Sequence, residues 1–198
     1  MAREPLYSLD QRHRILAIAR RGVEAALRRQ RHAEAPGEDE AYLADPRGCF
    51  VTLENRGALR GCIGTFSAER SLLDNLLEMS AAVVCDPRFV MHPVTLDELD
   101  ALNIEVSVLT PMQPMDDPTR LVLGEEGIFI EGRRAGMRVS GCFLPQVAVE
   151  QGWDVETTLS MCCAHKMGLA PDAWRPPTRL KFYRFGSAVI SEESLHHE

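Results

Sequence analysis

The sequence predicts an α+β fold, in which helices flank mainly antiparallel or mixed β-sheets. Two observations support this class. Helical stretches are interspersed with short alternating stretches, and most neighbouring strands are joined by glycine-containing turns of the hairpin type. With 198 residues, 45% of them apolar and 26% charged, the chain suits either one domain or one domain split into two lobes around a cleft.

The first element is an amphipathic helix that begins after a capping box at Ser8 and Gln11. Apolar residues recur at three- and four-residue steps between Ile15 and Ala26, which gives one buried stripe. Six arginines lie mostly off that stripe, namely Arg12, Arg20, Arg21, Arg28, Arg29 and Arg31. We expect them to form a solvated charged face, and a docking surface for acidic partners is the alternative. The acidic, proline-containing residues 33–48 are expected to form a mobile connection.

A β-hairpin follows, with alternating residues 49–53 and 59–64 joined by a turn at residues 55–57. The second run is Leu59-Arg60-Gly61-Cys62-Ile63-Gly64, which we call the hexapeptide. Gly61 and Gly64 weaken a strand and remove side-chain bulk. They indicate that a ligand, a substrate or another segment of the chain approaches the backbone closely.

Alternation along the hexapeptide sorts its side chains onto two faces. Leu59 and Ile63 are expected to face a core, and Arg60 and Cys62 to lie side by side on the opposite face. Cys62 is the best candidate for a catalytic residue, because a thiolate is a nucleophile and a neighbouring cation favours the thiolate. Arg60 would instead bind a carboxylate or phosphate through its forked donors. The alternative is that Cys62 is a small residue filling a tight site.

The middle of the chain predicts a helix from Ser71 that ends at Asp86, a helical turn at residues 95–98 and a strand over residues 102–109. Glu105 lies on the polar face of that strand. It is a candidate catalytic acid or base, and a structural salt bridge with Arg60 is the alternative. The proline-broken residues 111–118 are the candidate crossing between two lobes.

The last third predicts short strands around residues 128–130 and 137–139, and a helix over residues 155–167 that Gly168 closes. Strands at residues 179–185 and 188–190 complete the chain. An Asp86–Arg88 ion pair is expected within the turn between the second helix and the helical turn.

A cysteine nucleophile usually needs a histidine as its general base, and the sequence pattern does not single out one of the histidines for that role. The candidates are His13, His32, His92, His165, His196 and His197, of which the last two are expected to lie in a C-terminal tail. Cys162 and His165 share a helical face, but two ligands do not make a zinc site. The sequence carries no glycine-rich phosphate loop, dinucleotide fingerprint or Ser-His-Asp signature. We therefore predict neither a metal nor a cofactor.

Charge and cysteine content bound the class of protein. The net charge is −7, although the first 32 residues carry eight arginines against three acidic residues. The acidic body argues against nucleic-acid binding as a function class. No apolar run is long enough for a membrane span, and the N-terminal residues lack the apolar region of a signal peptide. A cytoplasmic location with six reduced cysteines is expected.

Several sequence blocks resemble the AMMECR-one family, which is also called AmmeMemoRadiSam system protein A. The hexapeptide resembles the hallmark of that family. Further blocks, in family order, are Asp86-Pro87-Arg88-Phe89, Glu105-Val106-Ser107-Val108-Leu109, Leu144-Pro145-Gln146-Val147-Ala148 and Gln151-Gly152-Trp153-Asp154. They span about residues 48–185 of a single domain covering residues 1–198. Residues 88–93 are slightly longer than the usual stretch, and Gly141-Cys142-Phe143 replaces a more aliphatic one.

The resemblance implies a two-lobed α+β chain with the hexapeptide at an inter-lobe cleft. It implies no established activity. Bacterial and archaeal relatives occur beside a Memo-type protein and a radical SAM protein, which makes such proteins candidate partners. Eukaryotic relatives point instead to protein interaction.

Two functional hypotheses follow. In the first, the chain is an enzyme or ligand-binding protein for a small molecule or peptide, with Cys62 and Glu105 as catalytic candidates and with Arg60, Gly61 and Gly64 as ligand-binding candidates. In the second, it is a non-catalytic adaptor whose glycine-flanked strand accepts a peptide or loop of a partner. RNA binding through the basic first helix is a third and weaker hypothesis.

Overall fold

The architecture was obtained as a computed structural model, which describes residues 6–66 and 68–195. The expectations for the N-terminal five residues and for His196 and His197 lie outside the described residues. The helices are α1 (Leu9–Leu27), α2 (Leu72–Ala82), α3 (Pro145–Glu150), α4 (Val155–Met161) and α5 (Glu192–Leu195). The strands are β1 (Cys49–Asn55), β2 (Ala58–Thr65), β3 (Leu102–Leu109), β4 (Gln113–Met115), β5 (Gly127–Arg134), β6 (Met137–Phe143), β7 (Lys181–Phe185) and β8 (Ser187–Ser191).

The fold is α+β, as predicted, and it contains two four-stranded sheets. One sheet has the strand order β2-β1-β3-β8, and the other has the order β4-β7-β5-β6. The chain divides into two compact units. The second unit is Thr110–Ser187, and the first unit is built from the chain before it and from the chain after it.

In the first unit, α1 and α2 pack on one face of the β2-β1-β3-β8 sheet. α1 begins at the predicted capping box, where Ser8 accepts the backbone N–H of Gln11 at 3.3 Å. Its apolar stripe is buried, and Ile15 and Ile18 have no exposed surface. Alternate residues of β1 and β3 supply the other side of this core. Burial of these apolar side chains is the main stabilising term for such a layer.

Arg20 departs from the solvated face that was expected for the arginines of α1. Its guanidinium bonds the carboxylate of Glu192 and donates to the carbonyl oxygens of Leu99 and Leu102, at 3.1 and 2.8 Å. Glu192 also accepts the backbone N–H of Ile104 at 2.9 Å. The sequence could not show this, because the partners lie more than 75 residues away along the chain.

Residues 33–48, predicted to be mobile, are attached to the first unit at several points. Glu34 pairs with Arg14 and Arg21, and Glu40 also pairs with Arg14. Leu43 is fully buried in the core. The prediction of a mobile connection is therefore wrong, because the acidic residues of this segment meet the basic face of α1.

The second unit has its own core on the β4-β7-β5-β6 sheet, with Ile128 and Ile130 fully buried. Trp174 is buried beside them, and its indole N–H donates to the hydroxyl of Ser160 at 3.0 Å. Strand β4 lies inside the segment that was predicted as a proline-broken loop, and its Pro114 pairs with Tyr183 of β7. Proline is tolerated there because β4 is an edge strand.

No helix among the described residues is long and apolar enough to cross a membrane.

Candidate functional site

The hexapeptide lies on β2, the edge strand of the first sheet. β2 pairs antiparallel with β1 through a two-residue turn at Arg56 and Gly57, which have φ angles of 52° and 77°. Two successive positive φ angles are typical of a type I′ turn, whose twist matches that of a hairpin. The predicted hairpin is thus present, and the edge of β2 away from β1 is left to other partners.

A β-bulge changes the expected alternation at the start of the hexapeptide. Gly61 pairs with Leu53, and Leu59 pairs with Glu54, so Arg60 is the extra residue without a register partner. Leu59 consequently lies on the face of Glu54 and is 41% exposed. The prediction that Leu59 faces the core is wrong for this reason, whereas Ile63 packs against the core.

The backbone of Cys62 is held at the open edge of β2 by Asp86 and Arg88. Asp86 Oδ2 accepts the N–H of Cys62 at 2.9 Å, and Arg88 Nη2 donates to the carbonyl oxygen of Cys62 at 3.0 Å. Arg88 Nη2 also bonds Asp86 Oδ2 at 2.6 Å, which is the ion pair that the sequence predicts. The two side chains therefore take the place that a neighbouring strand would occupy.

The charge states of this pair are set by their contact. The hydrogen bond from Arg88 lowers the pKa of Asp86 to about 2, although burial opposes this shift. The N–H of Cys62 lowers the same pKa further. The pKa of Arg88 is raised, mainly by its hydrogen bond with Asp86 and to a smaller extent by the side chain of Cys62. Asp86 is buried, whereas the side chain of Arg88 is 57% exposed.

The thiol of Cys62 is partly exposed on the face of the sheet opposite the helices. The hydroxyl of Thr52 donates to its sulfur at 3.3 Å. In register, Cys62 on β2 lies opposite Thr52 on β1, and Thr52 lies opposite Glu105 on β3. The three side chains form one row across three strands, with Glu105 partly buried at its end.

Arg60 binds Glu98 rather than the predicted partner Glu105. Its Nε and Nη2 donate to the two carboxylate oxygens of Glu98 at 2.9 and 3.0 Å. This bidentate bond lowers the pKa of Glu98 to about 2, and the backbone N–H of Thr95 lowers it further. Arg60 also donates to the carbonyl oxygen of Pro93 at 3.2 Å. Strand β1 lies between β2 and β3, so the two predicted partners are not on neighbouring strands.

Two glycines of the hexapeptide are explained by the chain itself. A Cβ atom at Gly61 would lie 2.7 Å from the carbonyl oxygen of Val83, and one at Gly64 would lie 2.2 Å from the ring of Phe50. Of the three possibilities left open by the sequence, close approach of another chain segment is present at both positions. A ligand-binding role for Gly61 and Gly64 stays a prediction.

The other cysteines contrast with Cys62. Burial raises the pKa of Cys49 to about 12 and that of Cys142 to about 11, and it also raises the pKa values of Cys162 and Cys163. Cys85 is exposed. Cys62 and Cys142 are partly exposed, whereas Cys49, Cys162 and Cys163 are buried.

Among the described histidines, His92 directly precedes Pro93, whose carbonyl oxygen accepts from Arg60 of the hexapeptide. His92 is exposed in the segment before Pro93, and His165 is exposed while Cys162 is fully buried, so these last two do not form a common surface. Over residues 6–66 and 68–195, no three His, Cys, Asp or Glu side chains are grouped so that they could hold a metal ion.

Sequence reasoning missed Arg88 as the cation beside the thiol. The signal was available in Asp86-Pro87-Arg88, where the proline ends a helix and an Asp two residues before an Arg favours a local bridge. What the sequence does not show is that this turn packs against the edge of β2.

Comparison with known proteins gives a family for the chain. The AMMECR1 family model matches residues 16–190. A protein of Methanothermobacter thermautotrophicus is 39% identical over 193 residues, covering 94% of this chain and 96% of the relative. Protein TK0174 of Thermococcus kodakarensis is 40% identical over 190 residues, covering 90% and 89%. The crystal structure of uncharacterized protein PH0010 from Pyrococcus horikoshii superposes with a TM-score of 0.78 at 36% identity, covering 90% of each chain.

Proposed function

The chain belongs to the AMMECR1 family, and we propose that it binds an anionic small molecule or peptide at the hexapeptide and acts on it through the thiol of Cys62. The observation that supports this proposal is the local environment of that thiol. It is partly exposed, it accepts a hydrogen bond from Thr52, and the exposed guanidinium of Arg88 lies beside its peptide group.

In this site, Arg88 attracts and orients the anionic part of the ligand, because its guanidinium is exposed while Asp86 holds it in place. The Thr52 hydroxyl holds the sulfur in place by hydrogen bonding. Arg60 is a positioning residue in this proposal, because its side chain is only 18% exposed and is bonded to Glu98 and Pro93.

The covalent step uses an electrophilic carbon of the ligand, such as a carbonyl carbon. The sulfur lone pair forms the new carbon–sulfur bond, and the π electrons of the carbonyl move to its oxygen. The thiol proton passes through water to the carboxylate of Glu105, at the end of the Cys62–Thr52–Glu105 row. Reversal of these movements releases the ligand and returns the proton.

The proposal includes a cytoplasmic setting, which is supported by the six unpaired thiols. It also includes a pathway shared with a Memo-like protein and a radical SAM protein, for which the support is the resemblance of the sequence blocks.

The test compares two alkylating reagents that differ in charge, iodoacetate and iodoacetamide. In each reaction the sulfur displaces iodide. We expect the ratio of the iodoacetate rate to the iodoacetamide rate to be higher at Cys62 than at the exposed Cys85, as read by peptide mass spectrometry. Arg88→Gln is expected to bring the ratio at Cys62 down to that of Cys85, and Arg88→Lys to retain most of it. Equal ratios at the two cysteines in the unmodified chain would contradict the anion site.

A second experiment looks for the natural ligand. Protein purified from its native host is measured by intact mass and by peptide mapping, beside Cys62→Ser and Cys85→Ser variants. An added mass at Cys62 that persists in Cys85→Ser and disappears in Cys62→Ser supports the covalent step.

One observation favours the second candidate, a non-catalytic adaptor. Val90 and Met91 follow the Asp86–Arg88 turn and are 73% and 81% exposed. Two large apolar side chains exposed next to each other form a small apolar patch, and larger patches of this kind mark protein-interaction sites. In this candidate, Met91→Glu abolishes complex formation with a Memo-like or radical SAM protein, while Cys62→Ser leaves it intact. Co-purification that survives Met91→Glu and fails with Cys62→Ser would reject it.

A further inference from the structure

A basic pocket lies within the second unit, on the hairpin of β5 and β6 and the chain entering β7. Its volume is about 680 Å³. The charged residues of its lining are Arg133, Arg138, Arg179, Lys181 and Glu131. Four cations and one carboxylate thus share this pocket in a chain whose net charge is −7. The concentration of positive charge is local and is not a consequence of overall composition.

Two of the arginines face each other across the hairpin. In the register of β5 and β6, Arg133 lies directly opposite Arg138. Like charges at directly opposite positions of an antiparallel pair destabilise a sheet. Among the described residues, the guanidinium of Arg133 bonds only the carbonyl oxygen of Gly136, at 3.2 Å. The ion pairs of the described residues in this unit include neither Arg133 nor Arg138. The repulsion is therefore not relieved by a carboxylate of the described chain.

Other arginines of the same unit form ion pairs with carboxylates. Arg120, Arg175 and Arg184 pair with Asp117, Glu156 and Glu126, respectively. The one carboxylate of the pocket, Glu131, lies opposite Lys181 in register and accepts a hydrogen bond from Tyr183 at 3.3 Å. Lys181 and Glu131 approximately offset each other, and the three arginines of the pocket remain as its uncompensated charge.

We propose that this pocket binds a phosphate-bearing small molecule of nucleotide size that carries at least two negative charges. The guanidinium fork matches the oxygens of a phosphate group, and two facing arginines suit a ligand whose charge is spread over neighbouring phosphates. The volume is within the range of small-molecule sites. Val139 and Leu180 provide an apolar part of the lining for the uncharged part of the ligand.

A single-stranded nucleic acid fits the pocket less well. Sites for single strands usually combine positive charge with aromatic side chains on which bases stack. The described lining residues include no aromatic side chain. The proposal is independent of the hexapeptide, since every lining residue belongs to the second unit.

The test is calorimetric titration of the full chain with pyrophosphate, ATP and adenosine at low salt. Pyrophosphate and ATP are expected to bind, with affinity that falls as salt is added, and adenosine is not. Arg138→Glu is expected to weaken binding about tenfold or more. The same substitution creates an opposite-charge pair with Arg133, so the thermal midpoint of the free protein should be unchanged or higher. A purely structural role of Arg138 does not predict that combination.

Arg120→Glu is the matched control, because it makes the same charge change in the same unit at a side chain that is 83% exposed and outside the pocket. It should bind ATP as the unmodified chain does. If Arg138→Glu lowers the thermal midpoint, Arg179→Gln takes its place. Failure of both phosphate compounds to bind, full binding by the pocket variants, or tighter binding of a single-stranded RNA 12-mer than of ATP would each overturn the proposal.

Discussion

Asp86 accepts the backbone N–H of Cys62 through a carboxylate oxygen 2.9 Å from the nitrogen. This hydrogen bond joins the turn after α2 to the edge strand that carries the hexapeptide. An open strand edge exposes unpaired N–H and C=O groups, which favours pairing with other chains. Asp86 and Arg88 satisfy both groups of Cys62 and at the same time fix the peptide that bears the thiol.

Asp86→Asn is expected to lower the free energy of unfolding by about 2 kcal/mol at pH 7, because it removes an ion pair whose carboxylate is buried. Urea unfolding of the two proteins measures the difference. The pKa of Asp86 is lowered to about 2 in the folded chain. Its contribution is therefore present above the usual Asp value near pH 4 and is lost as the pH falls toward 2. The stability difference should shrink over that interval, and a difference independent of pH would contradict this account.

Alkylation should separate the cysteines into two groups. At pH 7 we expect Cys62 and Cys85 to react with iodoacetamide, and Cys49 and Cys142 to react slower by on the order of a hundredfold or more. The reason is that burial raises the pKa values of Cys49 and Cys142 to about 12 and about 11, and each unit lowers the thiolate fraction tenfold. Time-resolved peptide mapping measures the rates. Unfolding in urea should equalise them, which provides the control.

Gly61→Ala is expected to destabilise the chain by about 1–3 kcal/mol. The added Cβ would meet the backbone carbonyl of Val83 at 2.7 Å, and a backbone atom cannot move aside as a flexible side chain does. Gly37→Ala is the control, because its nearest neighbours lie at 3.6 Å or beyond and belong to the side chain of Glu40. Thermal midpoints of the two variants should differ clearly.

Arg60→Met tests how much the bidentate bond between Arg60 and Glu98 contributes to stability. The substitution removes both hydrogen bonds to Glu98, so the pKa of Glu98 should rise from about 2 toward its usual value near 4.5. The free energy of unfolding is expected to fall by about 1 kcal/mol at pH 7, and to change little at pH 2. NMR titration of the Glu98 carboxyl measures the pKa. An unchanged value would show that Glu98 has another dominant partner.

Arg20→Met is expected to cost about 2 kcal/mol or more, because the Glu192 carboxylate and two carbonyl oxygens lose their donor together. Glu192→Gln should cost less, since its side chain can still accept from Ile104. A double-mutant cycle between Arg20 and Glu192 measures their coupling. Arg29→Met, at an exposed position of the same basic region, should leave the stability unchanged.

Local patterns predicted much of the fold, because the devices that start and end its elements are local. The capping box at Ser8, the helix that begins after Ser71, the helical turn at residues 95–98 and the hairpin turn at Arg56 and Gly57 are all present. The strand inside the proline-rich residues 111–118 was missed, since its existence depends on β7 about 70 residues later.

The candidate site was predictable only in part. The sequence indicated Cys62 as the candidate catalytic residue, the ion pair of Asp86 with Arg88 and the position of Glu105 on the polar face of its strand. It could not indicate the bulge that exposes Leu59. It also could not indicate that Arg60 pairs with Glu98, or that Arg88 donates to the carbonyl oxygen of Cys62. These relationships depend on which distant segments pack against each other, and a single sequence does not contain that information.

The discontinuous first unit has a consequence for biosynthesis. Strand β8 joins β3 in the first sheet only after the whole of Thr110–Ser187 has been translated. The two ends of that inserted segment are closed by the N–H of Thr110 donating to the carbonyl of Gly186 at 2.9 Å, and by the N–H of Gly186 donating to the Thr110 hydroxyl at 2.7 Å. On the ribosome, the inserted unit can therefore complete its own sheet while the unit that began first still waits for its last strand.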